Sequence, residues 1–346
     1  MLTEANALIK TSVKRLLQLL PSATRDIIVR LLKSQFRALH TRLLPNDPRD
    51  GVIAALPCVI RRPGHYRLTG DLIYGEATGI AIDVTVSGVI IDLQGHALRN
   101  SAGPATCATG IGGAAIANVA VVNGTVAGFR YGVSLHAGKR YCVADIRAEE
   151  NWQWGLSIEG DDCVIRDNAV LDTGGCTASC SKVCIAIRAF GARQTVERNI
   201  VSGLRRSPTN MEWVGIHFDS APNARFTNNI IAASAREPRT WGLWLNGGNW
   251  RDSGRTNVRV TGNSFINLHT AGTFADYAAG TCADNVLVNL AEGFIVGGPD
   301  VRVRNKGGNV HYLRVQLEDD GTRLRRSKYV AIHSKAASAD LSPRAP

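Results

Sequence analysis

In the stretch VGIHFD, residues 214–219, two titratable groups stand two positions apart, His217 and Asp219, interleaved with Ile216 and Phe218. On a strand, alternate side chains share a face, so the apolar pair turns one way and the titratable pair the other. A histidine among charges is suited to general acid or base work near neutral pH. Similar short segments carry Ser134 and His136 (YGVSLH), Ser157 and Glu159 (WGLSIE), Ala186 and Arg188 (VCIAIR), and Trp244 and Asn246 (WGLWLN) at the corresponding outward positions. Stacked as parallel strands about 4.8 Å apart, Arg188, Asp219 and Asn246 become successive neighbours. His217 then falls between Ala186 and Trp244, with Glu159 one rung before Arg188. In that register Arg188 holds Asp219 ionised or grips a substrate carboxylate with two hydrogen bonds. The expected catalytic set is His217, Asp219, Arg188 and Glu159.

Aromatic residues gather on the same segments. All six tryptophans fall within residues 152–250, and indoles flanked by charge suit the flat apolar face of a sugar ring. The expected substrate-binding residues are Trp154, Trp213, Trp241, Trp244, Asn246 and Arg206, with at least three of the tryptophans exposed. Asp161 and Asp162, in the turn after Glu159, are acidic enough to hold Ca2+, although no cofactor is required. Cys176, Cys180 and Cys184 follow one another at intervals of four. No fourth ligand stands nearby, so a local disulfide or buried thiols are expected in preference to zinc.

The element that positions these residues is a repeat. The segments TGIGG, YGVSL, WGLSI, VCIAI, VGIHF and WGLWL begin a series whose steps, taken at the second residue of each, are 22, 23, 29, 31 and 27 residues. Units this short cannot bury a core alone and must stack. A second series runs in phase with the first: Asn168, Asn199, Asn229 and Asn263 each precede an apolar pair. Stacked, these side chains form a ladder, with asparagine also suited to left-handed backbone at a turn. Short alternating strands divided by Gly, Asn and Asp exclude a helical repeat.

With these coils, PGHYRLTGDL (63–72), VIIDLQGHAL (89–98) and VAVVNGTVAGFRYGVSL (119–135), the chain resembles the right-handed parallel β-helix superfamily, the pectate-lyase-like fold, over residues 55–310. The resemblance implies an all-β solenoid and leaves the activity open, because that fold hosts lyases, hydrolases, epimerases and non-catalytic particle proteins. GDDC (160–163) is similar to a polygalacturonase motif but stands in the following turn. Arg206-Ser-Pro208 begins a pectate-lyase motif that Met211 breaks, and the epimerase DPHD motif is missing. No particular activity transfers.

Three segments are expected. Residues 1–45 form a helical cap or attachment segment, with helices at 4–20 and 23–44. Residues 46–310 form the β-helix, and 311–346 a hairpin turning at Asp320-Gly321 followed by a polar tail. A helix laid across the open end of the sheet protects its edge, and a rod with a further basic helix is compatible with a homotrimer. No membrane-spanning stretch and no secretory signal are read from the sequence, and the compartment stays open. The formal charge of +11 favours an anionic partner. The basic residues are spread over turns without a nucleic-acid motif, which leaves an acidic polysaccharide as the expected partner. The expected activity is that of a lyase or epimerase on a uronate-type glycan, ahead of a hydrolase. The rival class is a non-catalytic carbohydrate-binding or tailspike-like β-helix.

Overall fold

The computed structural model describes residues 51–178, 183–206, 212–219, 221–234, 236–246, 256–275, 278–296 and 301–312, and the short strands at 315–317 and 324–326. The expected helices at 4–20 and 23–44, Cys180, Trp250 and the polar tail lie outside these residues.

The repeat folds as expected into an all-β parallel solenoid of about nine turns. Each strand pairs in parallel with the equivalent strand one turn later. Val183–Phe190, for example, lies between Trp154–Asp161 and Glu212–Asp219. Three faces result. The first carries Tyr131–Glu149 at its start, then Trp154–Asp161, Val183–Phe190, Glu212–Asp219 and Thr240–Asn246. The second includes Val164–Arg166 and Thr195–Glu197, and the third Ala169–Gly174 and Ile200–Arg205. After the solenoid, Val315–Leu317 and Leu324–Arg326 pair antiparallel, the hairpin expected there. No helix among the described residues is long and apolar enough to cross a membrane.

Each face sends one side of its strands inward. Leu156, Ile187, Ile216 and Leu243 form one stacked inner row, and Ile158, Ala189, Phe218 and Leu245 the next. Their burial is the main stabilising term, and it fixes register. A slip of one residue would turn every apolar side chain to solvent.

The asparagine ladder is present and longer than the sequence suggested. Asn168, Asn199, Asn229, Asn263 and Asn285 are buried, and each amide donates to the next one's Oδ1 at 2.9–3.0 Å, ending at Asn309 after a 2.8 Å step. The left-handed backbone belongs one position earlier, to Asp167, Arg198, Asn228, Gly262 and Asp284. That residue turns the corner, which frees the asparagine behind it to face inward and bond the backbone. In the earlier coil Ile146 fills the ladder position, and its N–H donates to Asn168 Oδ1 at 2.9 Å.

Candidate active site

The first face aligns a small residue on each turn: Gly132, Gly155, Ala186, Gly215 and Gly242. A β-carbon added at Gly155, Gly215 or Gly242 would come within 2.6–2.8 Å of the carbonyl oxygen of the corresponding residue on the following turn. That crowding favours glycine on these turns, and the strand pairing corrects the expected register on one rung. Ala186, not Cys184, stands at this position, so Val183–Phe190 sits two residues from its expected alignment. Ala186 is fully buried and does not neighbour His217 on the outer face. Arg188 is paired with Ser157 on one side and His217 on the other, and Phe190 with Glu159 and Asp219.

The outward rows are therefore Ser134, Ser157, Arg188, His217 and Trp244, and beside them Glu159, Phe190, Asp219 and Asn246. Arg188 does not neighbour Asp219 in the register. Its Nη1 lies 3.4 Å from Glu159 Oε2, and its guanidinium lies over the rings of Trp154 at 5.4 Å and Phe190 at 5.7 Å. A third group reaches the same carboxylate: His136 Nδ1 is 3.5 Å from Glu159 Oε2, and His136 Nε2 is 2.5 Å from Ser134 Oγ. Ser134, His136, Ser157 and Phe190 stand in the site without having been picked out as functional. Their outward positions were legible, but only the corrected rung brings Arg188 into line with the serines.

His217 is held from the other side. Trp244 Nε1 donates to Asn246 Oδ1 at 2.9 Å, which points the Asn246 amide NH2 at His217 Nε2, 3.4 Å away. That polarity leaves the lone pair on Nε2 and the proton on Nδ1. Asn246 thus positions His217. Nδ1 itself is buried and has no hydrogen-bond partner. Burial, reinforced by the Arg188 charge, pushes the His217 pKa down to about 4. The ring is therefore neutral at pH 7.

This shift links His217 to stability. Its folded pKa lies below the unfolded value, so the unfolded chain takes up the proton first as pH falls. The stability is fully present above about pH 6.5 and drains away down to about pH 4, by up to roughly 3 kcal/mol at 1.36 kcal/mol per pKa unit. Urea midpoints between pH 7 and 4 should fall less steeply for His217→Asn than for wild type. Parallel slopes would contradict the assignment.

Two aromatic pads flank the Arg188–His217 pair. Tyr131 and Trp154 pack at 4.6 Å between ring centroids, and Trp241 and Trp244 at 5.3 Å. Trp154 and Trp241 stand in one row, three rungs apart, or about 14 Å along the solenoid. Trp152, Trp154, Trp241 and Trp244 are half-buried, and none of the described tryptophans is fully exposed as expected. Trp213 is 1% exposed and belongs to the core. It stands two residues before the corner glycine, in register with Cys184 and Thr240, and that row is buried on all three turns.

The remaining expected residues are engaged in ion pairs and a backbone contact. Arg206 Nε lies 2.8 Å from Glu237 Oε2. Asp162 forms a two-pronged pair with Arg193, whose Nε and Nη2 lie 2.5 and 2.9 Å from its oxygens, and Asp161 accepts the Ala192 N–H at 2.8 Å. Both carboxylates face Arg193. Among the described residues no group of three or more His, Cys, Asp or Glu is disposed to hold a metal. Cys176 and Cys184 are buried, and burial pushes the Cys184 pKa far up.

The strand pairings define the fold class, a parallel β-helix. No family model matches the chain, and no curated protein matches its sequence. Among solved structures it is similar to an alginate lyase from Paenibacillus sp. str. FPU-7, at 13% identity over 66% of this chain and 92% of that one, TM-score 0.35. It is similar also to DFA-IIIase from Arthrobacter chlorophenolicus A6, at 13% identity over 82% and 89%, TM-score 0.32. A third likeness is to the A-module of mannuronan C-5 epimerase AlgE6 from Azotobacter vinelandii, at 13% identity over 75% and 82%, TM-score 0.31. These likenesses concern fold alone, and no residue role is carried over from them.

Proposed function

We infer that the first face is the active face of an enzyme acting on an anionic polysaccharide. A sugar carboxylate is held at Arg188, and His217 takes or returns the proton on the carbon beside it. The observation that carries this reading is the adjacency of Arg188 and His217 on neighbouring rungs, between two aromatic pads. Pads spaced along the solenoid suit an elongated ligand, and the formal charge of +11 attracts an acidic one. Lyase or epimerase chemistry fits better than hydrolysis. Glu159 is shared between Arg188 and His136, and Phe190 separates it from Asp219, which puts their Cα atoms two rungs, about 9.6 Å, apart.

The test is affinity for acidic and neutral oligosaccharides. Arg188→Ala should weaken binding of an acidic oligomer about 30-fold or more, the lower end of the roughly 2–5 kcal/mol expected on truncating a buried charged contact. Neutral oligomers should be little affected, and Arg188→Lys should recover part of the loss. Equal affinity of Arg188→Ala and wild type for acidic oligomers would refute the carboxylate role. Saturable binding without product, with Trp244→Ala more damaging than His217→Ala, would instead assign a non-catalytic glycan-binding module.

A further inference from the structure

Ser134 and His136 lie on one strand, two residues apart, and Glu159 lies on the next turn. The Ser134 hydroxyl meets His136 Nε2 at 2.5 Å, and the opposite nitrogen, Nδ1, faces Glu159 Oε2 at 3.5 Å. Nucleophile, base and orienting carboxylate thus follow in the order that acyl-transfer chemistry needs. The backbone holds this arrangement in an irregular form. The pairing register shifts between Leu135 and Gly138, and Ala137 has a φ of 51°. The bulge re-aims His136 toward both partners, and Tyr141 Oη donates to the His136 carbonyl at 3.1 Å and clamps it. A β-carbon on Gly138 would collide with the Tyr141 hydroxyl and the Ile116 carbonyl, so the bulge is packed to fit.

A donor for developing negative charge stands beside the serine. Ser157 is the neighbour of Ser134 on the next rung; it is fully buried, and its hydroxyl has no hydrogen-bond partner. Arg188 follows one rung further on. An unsatisfied hydroxyl in so dry a place is costly unless something arrives to accept from it.

We propose that Ser134, His136 and Glu159 form the nucleophile, base and orienting group of an ester-hydrolysing site, with Ser157 donating to the oxyanion. His136 Nε2 takes the Ser134 proton as Oγ bonds to the ester carbonyl carbon. The tetrahedral intermediate collapses by breaking the bond to the alkoxy oxygen, and the alcohol leaves with that proton. Water, deprotonated by the same nitrogen, attacks the acyl-serine. The Oγ–acyl bond breaks, the proton returns to Ser134, and the net change is ester and water to acid and alcohol. Only 5% of Ser134 is exposed, which selects a short acyl group such as acetyl. The Tyr131–Trp154 pad on the same two strands offers a platform for a sugar alcohol. That the alcohol is a glycan rests on the preceding reading; the ester chemistry does not.

The experiment uses the full chain and two small probes, a fluorophosphonate and 4-nitrophenyl acetate. The expected result is one covalent adduct on Ser134, mapped by mass spectrometry in the folded wild-type protein and absent after heat denaturation. Ser134→Ala and His136→Asn should each lower acetate-ester hydrolysis at least a hundredfold, within the roughly 10²–10⁴ that a positioned base contributes. No adduct, an adduct on another residue, or undiminished hydrolysis by Ser134→Ala would overturn the proposal. Glycan binding and cleavage are measured separately, so failure there and failure here are read on different substrates.

Discussion

Replacing Asn229 by leucine should lower stability by about 3–5 kcal/mol, the largest single-site loss expected outside the apolar core. Asn229 is fully buried. Its Oδ1 accepts from the Asn199 backbone N–H and side-chain amide, each at 3.0 Å, and its own amide donates to the carbonyl oxygens of Val196 at 2.9 Å and Thr227 at 3.1 Å. Leucine fills a similar volume, so water cannot take over these bonds. Each stranded buried group costs about 1–3 kcal/mol. At roughly 2–4 °C per kcal/mol for a large domain, the melting temperature should fall by about 10 °C. Asn257 is exposed, its amide 3.4 Å from Asn223, so Asn257→Leu is the matched control and should shift little. Equal effects of the two substitutions would mean the ladder adds nothing to stability.

The second large effect is on turnover. His217→Ala should reduce cleavage or epimerisation of the acidic glycan by about 10²–10⁴-fold, the contribution of a positioned general base. The fold should survive, because His217 occupies the outer row and Ile216 and Phe218 fill the core. Its depressed pKa sets the pH profile. Because kcat/KM reports the free enzyme, its acid limb should lie near pH 4, where His217 protonates, and not near 6.5. A substrate carboxylate on Arg188 offsets the cation that helps lower that pKa. The limb in kcat should therefore move upward relative to kcat/KM. Coincident limbs near 6.5 would point to a different base.

Much of this molecule was legible in its sequence, and the misreadings have physical causes. The alternation of Ile216, His217, Phe218 and Asp219 gave facing directly, because one face of that stretch is buried. The rung at 183–190 was misaligned because glycine marks the corner on most turns, whereas on this one the strand pairing puts Ala186 there. Two residues of slip changed no facing but exchanged neighbours, and neighbours decide chemistry. Trp213 was misassigned for a related reason, since its distance from the corner glycine, not its residue type, sends it inward. The left-handed corner was placed on the asparagine when it belongs to the residue before it, because both positions favour asparagine for different reasons. The bulge at His136–Ala137 leaves no pattern in a period-two reading, and the Ser134–His136–Glu159 alignment could not be seen without it.

The most direct measurement is a panel of acidic and neutral polysaccharides, followed in parallel for unsaturated-uronate absorbance and for new reducing ends. Absorbance rising together with reducing ends on a uronate polymer, and lost in His217→Ala, is the predicted result. Reducing ends without absorbance would contradict the role given to His217 and Arg188 and move the chemistry to Glu159 and Asp219.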